Sequence, residues 1–291
     1  MANRARPRRS VLYMPGSNAR ALEKAKSIPA DALILDLEDA VAPDAKELAR
    51  GQVCKAVAEG GYGKREIVIR VNGLDTPWGL DDLVNAAAVK PDAVLVPKVS
   101  DPGMLHKVEG ILDSQNARKT DIWAMMETPL GILHAEEIAA ATPRLAVFVM
   151  GTNDIAKEMR SAHTPMRLPM MTSLGLCLLA GRAHGVSVID GVHNDIKDEQ
   201  GFAAICKQGV ELGMDGKTLI HPSQVGPCNE IFSPSEEEVA LARAIIAEFE
   251  KPENAGKGVV TVDGKMTELL HAEIAKRTVA IADAIKELEA A

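Results

Sequence analysis

The chain has 291 residues and a formal net charge of −8, and its length leaves room for one large α/β domain or two small ones. No basic stripe follows the first nine residues and no apolar run reaches the length of a membrane span, so neither nucleic acid nor a membrane is an expected partner. The four cysteines lie far apart without CxxC spacing, which favours reduced thiols in the cytoplasm over a zinc site or a disulfide framework.

Eight apolar runs rich in β-branched residues alternate with amphipathic stretches. The runs predicted to be strands begin near Ser10, Ala32, Ile67, Ala93, Ile122, Leu145, Val186 and Lys217. Repeated alternation of strands and helices implies right-handed parallel crossovers. Eight such units predict a closed (β/α)8 TIM barrel, with a doubly wound open sheet as the competing architecture.

The residues that follow the predicted strands help to choose between these folds. Each strand ends in a polar or conformationally special group: Pro15-Gly16-Ser17, Asp36 to Asp39, Arg70 and Asn72, Lys98, Glu127, Gly151 to Asp154, Asp190, and His221-Pro222. An open sheet gathers ligand groups at one switch point, whereas a barrel collects them from many strand ends at one face. Eight contributors favour the barrel, and the absence of a GxGxxG motif after any strand argues against a dinucleotide-binding fold.

The sequence changes character after the eighth strand. We therefore predict a barrel over residues 1–232 and a C-terminal helical extension over residues 233–291. Ser235 before three glutamates marks a helix start, and Asp263-Gly264 predicts a tight turn between two short strands. A last helix is predicted from about Glu268 to Leu288. The extension is too small to fold alone, so we expect a lid over the barrel mouth or on a neighbouring subunit, with a plain packing helix as the alternative.

Two carboxylates directly follow buried apolar strands. Glu127 follows the run that ends at Met126, and Asp154 follows the run that ends at Met150. Two acids at one rim of a sheet can share a Mg²⁺ ion, or Mn²⁺ in its place, while water and substrate oxygens fill the remaining positions. The alternative is that either acid caps the helix after it. As a pair, they predict a metal site.

Arg70, at the end of the third strand, offers a planar fork for a carboxylate or carbonyl oxygen. A metal and an arginine around a bound oxyanion suit retro-aldol or Claisen-type chemistry, in which charge develops on oxygen. Glu38 and Asp39 are predicted to hold metal-bound waters or to orient Arg70. A structural ion pair between Asp36 and Arg70 is the alternative interpretation.

Several ordered motifs carry a family resemblance. They are RSVLYMPGS (9–17), LDLEDAV (35–41), VIRVN (68–72), PKV (97–99), ET (127–128), GTND (151–154) and GKTLIHP (216–222). With these motifs the chain resembles, nearly end to end, the citrate lyase β-subunit branch of the HpcH/HpaI aldolase family. The resemblance implies a (β/α)8 barrel and a Mg²⁺-dependent enzyme that acts on coenzyme A thioesters of malate, citramalate, methylmalate or citrate. It also implies a homotrimer or homohexamer.

The same resemblance implies roles for individual residues. Glu127 and Asp154 would ligate Mg²⁺, and Arg70 would bind the carboxylate or carbonyl of a glyoxylate-like group.

Further positions correspond to those where relatives hold coenzyme A. These are Tyr13, Arg20 and Lys24, while Asp190 matches the segment that lines the thioester. Independently of the resemblance, Arg20 and Lys24 lie one turn apart on the first predicted helix and form a candidate diphosphate clamp.

The C-terminal extension departs from the pattern of many lyases in this family. Their lid carries Gly-(Lys/Ser)-Met-Ile-Asp, whose Asp acts as general acid or base on the acetyl-CoA methyl group. Here residues 264–268 read GKMTE, so Glu268 takes the Asp position with a side chain one methylene longer. Residues 262–271 look more like the malyl-CoA thioesterase branch, and proton delivery to carbon depends on placement.

These observations leave three functions open. We expect a lyase that cleaves a malyl-, citramalyl- or citryl-type CoA ester to acetyl-CoA and a 2-oxo acid, with Glu268 or water protonating the enolate. The first alternative is an (S)-malyl-CoA thioesterase in which a carboxylate such as Glu268 activates water against the thioester. The second is a citrate lyase β-type subunit within a carrier-protein complex.

Overall fold

The computed structural model describes residues 6–290, so the start of the basic N-terminal segment lies outside it. The chain divides into two compact units. The first comprises Arg8–Phe232, and the second comprises residues 6–7 and the chain from Ser233 onward. Among the described residues, no helix combines the length and apolar character needed to cross a membrane.

Eight parallel strands in the first unit close into a barrel, each pairing with the next and β8 pairing with β1. The strands are β1 (Ser10–Pro15), β2 (Ala32–Asp36), β3 (Glu66–Arg70), β4 (Ala93–Val96), β5 (Asp121–Met126), β6 (Leu145–Met150), β7 (Ser187–Asp190) and β8 (Gly216–Leu219). This architecture confirms the predicted (β/α)8 TIM barrel. Strand starts agree with the sequence prediction to within one residue, because each apolar run is bounded by polar or turn-forming residues.

Helices surround the strands. They are α1 (Ala19–Ala25), α2 (Lys46–Glu59), α3 (Gly79–Val89), α4 (Pro102–Ser114), α5 (Pro129–Leu133), α6 (Ala135–Ala140), α7 (Thr152–Met159), α8 (Met171–His184), α9 (Glu199–Leu212) and α10 (Val225–Phe232). Short 3₁₀ turns occupy Pro43–Ala45, Leu168–Met170 and Pro222–Gln224.

The barrel has two apolar layers because successive strand residues point to opposite faces. Side chains such as Ile34, Val68 and Met125 fill the barrel interior. A larger layer, with Leu35, Ile69 and Met126, packs between the strands and the helices. By this alternation, Asp36, Arg70 and Glu127 belong to the interior face at the carboxyl ends of β2, β3 and β5, and Asp36 lies directly opposite Arg70 in the strand register. The fold therefore gathers these groups at one end of the barrel.

The second unit is a helical pair with a small hairpin. Its elements are α11 (Glu236–Glu250), a 3₁₀ turn (Pro252–Asn254), β9 (Val259–Val262), antiparallel β10 (Lys265–Glu268) and α12 (Leu269–Glu289). Ser235 and Glu238 form a capping box at the start of α11. The hairpin turns at Asp263 and Gly264, whose φ values are 49° and 75° as a tight turn between two strands requires.

Candidate active site

The central contact of the site is an ion pair between Arg70 and Asp36. Arg70 Nε and Nη2 donate hydrogen bonds of 2.6 and 2.7 Å to the two carboxylate oxygens of Asp36. Both side chains are buried. The structural ion pair that was the alternative interpretation of Arg70 is therefore present. It occupies the Nε–Nη2 edge of the guanidinium.

Two further carboxylates reach the other side of Arg70. Glu38 Oε2 lies 2.8 Å from Nη1, and Asp39 Oδ2 accepts a hydrogen bond of 3.3 Å from the same nitrogen. The contact between Glu38 Oε2 and Arg70 is an ion pair without hydrogen-bond geometry. The buried Glu38 Oε2 therefore accepts no hydrogen bond. Burial raises the pKa of Glu38 to about 7, with Asp39 and Asp36 adding to the rise and Arg70 opposing it.

Tyr13, on β1, packs against the guanidinium of Arg70. The centre of its ring lies 4.9 Å from Arg70 Cζ, a cation–π arrangement, and its hydroxyl donates to Met125 Sδ at 3.3 Å. Burial raises the pKa of Tyr13, so the phenol stays neutral. The structure thus places Tyr13 at the arginine.

Glu127 is a buried carboxylate with one free oxygen. Its Oε1 accepts a 2.8 Å hydrogen bond from the backbone N–H of Lys98, and only 2% of the residue is exposed. Burial raises its pKa to about 8, since the lowering by the Lys98 N–H does not offset burial and the charges of Glu38 and Asp154. Burial also lowers the pKa of Lys98 itself, but the carboxylates around it raise that pKa above its usual value.

Gly151 brings α7 against Glu127. A Cβ atom on Gly151 would lie 2.4 Å from both Cβ and Oε2 of Glu127, so only glycine leaves room for the carboxylate. Gly151 is the residue before α7, and Asp154 sits in the first turn of that helix, half-buried. The close approach brings Asp154 near enough for its charge to add to the rise in the pKa of Glu127, which burial causes first.

The donors at this point fit a hard divalent cation. Glu127 Oε2 and the carboxylate of Asp154 accept no hydrogen bond from another described residue, and Glu38 Oε2 is a buried acceptor without a donor. A divalent cation would stabilise the ionised form of Glu127, whose pKa is raised by burial and, less strongly, by the charges of Glu38 and Asp154. In the part of the chain described, no three His, Cys, Asp or Glu side chains lie together as a metal-binding group.

Arg20 and Lys24 lie on α1. Both side chains are exposed, and neither pairs with an acid among residues 6–290. Their one-turn spacing leaves both cations available to an anionic ligand.

Asp190 lies on the other face of its strand. Side chains alternate along β7, so Asp190 points the same way as Val188, which belongs to the layer between the strands and the helices. Arg167 Nη1 donates to Asp190 Oδ1 at 2.6 Å, and Lys217 Nζ donates to Oδ2 at 3.1 Å. Burial raises the pKa of Asp190, but Lys217 and Arg167 together hold it below its usual range. The fully buried carboxylate is thus already paired, and a substrate role for it stays a prediction.

Glu268 is the residue before α12 in the second unit. Its side chain accepts from the backbone N–H of His271, and its own N–H donates to His271 Nδ1 at 3.0 Å. The carboxylate therefore caps the helix and is exposed. Its proposed catalytic role stays a prediction.

Sequence reasoning missed three features of the site. The Lys98 N–H reaches Glu127 from a residue with φ of 52°, a conformation that no sequence signal marks. The glycine of the GTND motif was a readable signal, since a glycine between a strand and an acid often marks a close approach. The ammonium of Lys46 donates a hydrogen bond to the carbonyl of Glu38, but nothing in the sequence distinguishes this lysine from an ordinary surface lysine of a helix.

A closed (β/α)8 barrel with carboxylates and an arginine at the carboxyl ends of its strands is typical of enzymes. The chain belongs to the HpcH/HpaI aldolase/citrate lyase family, whose family model matches residues 9–222. It is 52% identical to a (3S)-malyl-CoA thioesterase of Cereibacter sphaeroides over 290 residues, which is 100% of both chains. It is 34% identical to an L-malyl-CoA/beta-methylmalyl-CoA lyase of the same species, with 91% of each chain covered.

A solved structure adds a likeness in three dimensions. The protein CitE of Mycobacterium tuberculosis, in complex with magnesium, acetoacetate and coenzyme A, is 27% identical, with a TM-score of 0.77. The match covers 96% of this chain and 99% of that one.

The preference for carbon–carbon cleavage drawn from the sequence is wrong. Four thioesterases match at 51–52% identity over 98–100% of this chain, whereas the lyases match at 33–34%. The strand-end motifs did not distinguish the two activities, because they suit either reaction.

Proposed function

We propose that this protein is a Mg²⁺-dependent thioesterase that hydrolyses the coenzyme A ester of a small hydroxy diacid, with (3S)-malyl-CoA as substrate. Full-length similarity to thioesterases named for that substrate supports the choice of bond. The observation that carries a catalytic function is the meeting of two buried carboxylates, Glu38 and Glu127, with Arg70 at one end of the barrel.

Glu127 and Asp154 would hold the metal, with water and substrate oxygens as the other ligands. When bound, Mg²⁺ supplies Lewis-acid polarisation of a substrate oxygen. The magnesium and coenzyme A in the CitE complex support both groups as ligands of this fold. Mn²⁺ suits the same oxygen donors.

Arg70 would orient the distal carboxylate of the substrate. Asp36 holds its Nε–Nη2 edge, so the substrate contacts the guanidinium on the Nη1 side. There Asp39 makes the longer bond, 3.3 Å, and its side chain is 69% exposed. Asp39 is therefore the partner that a substrate carboxylate displaces most easily.

Hydrolysis requires a base for water. Water adds to the thioester carbonyl carbon as a carboxylate takes its proton, the C–S bond breaks, and coenzyme A leaves as a thiolate that receives a proton. Glu38 fits the role of base, since its Oε2 lacks a donor and its pKa of about 7 suits a base near neutral pH. Glu268 is the second candidate, and to act it must first leave the cap of α12.

The coenzyme A diphosphate would bind the exposed cations of Arg20 and Lys24. Tyr13 packs against Arg70 and would help to hold its guanidinium in place. Its role in binding coenzyme A stays a prediction. Asp190 would influence the thioester only through neighbouring residues, because its own carboxylate is fully buried.

We further propose a homotrimer or homohexamer in the cytoplasm. Large apolar side chains remain exposed on α5 and α8, helices that pack side by side: Leu130, Leu133, Leu176 and Leu179. An apolar surface of this kind typically meets another protein surface. The four cysteines are free, as expected in a reducing compartment.

One assay tests the proposal. Purified protein is given (3S)-malyl-CoA and Mg²⁺ while free thiol and glyoxylate are measured in parallel. We expect thiol without glyoxylate, and loss of thiol release in EDTA that added Mg²⁺ restores. Glyoxylate without thiol, or full activity in EDTA, would overturn the proposal.

A further inference from the structure

The loop after β2 brings Glu38 to the candidate site, and Asp36 holds this loop from the barrel side. The backbone N–H groups of Glu38 and Ala40 donate to the two oxygens of Asp36 at 2.9 and 3.0 Å. The same oxygens accept the two bonds from Arg70. One carboxylate thus ties the loop amides to the arginine.

Lys46, at the start of α2, holds the same loop by its carbonyl groups. Its Nζ donates to Leu37 O at 2.9 Å, to Glu38 O at 2.7 Å and to Asn72 Oδ1 at 2.8 Å. These bonds use all three protons of the ammonium. The residue is only 6% exposed, and Nζ lies 5.5 Å from the centre of the Trp78 ring. A buried lysine with this many partners is not a solvated surface residue.

A second chain of bonds fixes the third acceptor. Asn72 Nδ2 donates to Leu37 O at 2.8 Å and to Asp82 Oδ2 at 2.5 Å. Arg50 Nε donates to the other oxygen of Asp82 at 2.7 Å. The position of the Lys46 ammonium is therefore defined by the segment after β3 together with α2 and α3, and Asn72 of that segment also binds the loop carbonyl of Leu37.

We propose that Lys46 is a positioning residue: by binding the carbonyls of Leu37 and Glu38, its ammonium sets the peptide that aims the Glu38 carboxylate at Arg70. The inference rests on the proposed function, since it concerns the placement of Glu38 for that reaction. Arg70 keeps its two bonds to Asp36 without Lys46. Loss of Lys46 should therefore misplace the base and leave the arginine that binds substrate in position.

The first test is kinetic and uses Lys46→Met in the full chain. We expect kcat for (3S)-malyl-CoA hydrolysis to fall roughly 10- to 100-fold, as for a misplaced catalytic group, while KM stays within about twofold. Lys55→Met, an exposed lysine of α2 whose side chain is 75% exposed, is the matched control and should change neither constant. Should Lys46→Met not fold, Lys46→Gln, which keeps two donors, should give a smaller fall of the same kind.

A double-mutant cycle separates positioning from mere stabilisation. If Lys46 acts through Glu38, the pair Lys46→Met and Glu38→Gln should be no slower than Glu38→Gln alone. A structural role would give multiplying losses, and that result would overturn the inference.

Hydrogen exchange supplies a readout that needs no activity. Lys46→Met should speed exchange of the Glu38, Ala40 and Val41 amides about tenfold or more relative to those of β3. Unchanged exchange in this loop would overturn the inference. An inactive wild-type protein would overturn the proposed function alone, because the exchange experiment would still decide the role of Lys46.

Discussion

The backbone N–H of Lys98 donates a hydrogen bond of 2.8 Å to Glu127 Oε1, and Lys98 holds φ at 52° in the left-handed region. This bond turns the carboxylate so that Oε2 lies against Gly151 at the start of α7. One acid is thereby held by a backbone donor on one oxygen and left open on the other. The open oxygen is the one expected to meet the metal.

Removal of either carboxylate that is proposed to bind Mg²⁺ should abolish turnover without unfolding the chain. Glu127→Gln and Asp154→Asn each remove a charge from the proposed Mg²⁺ site, and we expect at least about a 100-fold loss of kcat/KM. Calorimetric titration with Mg²⁺ should show weakened binding while circular dichroism stays unchanged. Asp44→Asn, which changes an exposed acid, is the control. Normal Mg²⁺ binding in both variants would show that the metal lies elsewhere.

The raised pKa of Glu127 predicts how stability depends on pH. In the metal-free protein its pKa of about 8 exceeds the ordinary value of 4.5, so between these values the folded state holds more protons than the unfolded state. The free energy of unfolding should therefore fall as pH rises from about 4.5 to 8. Urea midpoints across this range should show the slope, and Glu127→Gln should reduce it. The exposed-acid variant Glu47→Gln should leave the slope as it is.

Gly151 should not tolerate a side chain. In Gly151→Ala the new Cβ would meet Glu127 Cβ and Oε2 at 2.4 Å, so the carboxylate must move. We expect a loss of about 1–3 kcal/mol in stability from the crowding, together with weaker Mg²⁺ binding. Gly175→Ala in α8, where no atom lies within 4 Å, is the control and should be neutral or stabilising by up to about 1 kcal/mol. Equal behaviour of the two variants would contradict the described packing.

Arg70 should not be replaceable by lysine. A lysine has a single point charge and cannot make two parallel bonds to Asp36 while presenting Nη1 to a substrate. We expect Arg70→Lys to lose at least about 100-fold in kcat/KM, with melting temperature as the check on folding. Arg118→Lys, at an exposed position, should behave as wild type. A near-normal rate in Arg70→Lys would make Arg70 a structural residue only.

Asp190 should prove important for stability. Asp190→Asn leaves Arg167 and Lys217 as buried cations without their counter-charge, and loss of one partner of a buried pair typically costs about 3–5 kcal/mol. We expect a large fall in melting temperature with little change of KM in the folded protein. A raised KM at unchanged melting temperature would instead support contact with the thioester.

The sequence allowed the barrel and its polar rim to be predicted, because apolar runs of strand length ended in charged residues at regular intervals. Glu127 and Asp190 looked alike in this pattern, yet one faces the interior and the other the helices. That difference follows from alternation along each strand and becomes readable only once the barrel interior is known.

Other features of the site depend on contacts that no local pattern encodes. The Lys98 amide meets Glu127 across 29 positions of the chain, and Lys46 meets Asn72 across 26. The strand-end motifs did not decide which bond is cleaved, and the local signal that favoured the thioesterase lay in residues 262–271 of the extension.

The pairing of Asp36 with Arg70 also bears on how the chain folds. The two residues are direct partners in the register of β2 and β3. A slip of one residue between these strands would turn one partner to the opposite face of the sheet and leave the other charge buried alone. A misaligned barrel would therefore cost free energy at the end where substrate is expected to bind, so the ion pair favours the native register of β2 and β3. The arginine that is proposed to bind substrate thus also favours the correct alignment of these two strands.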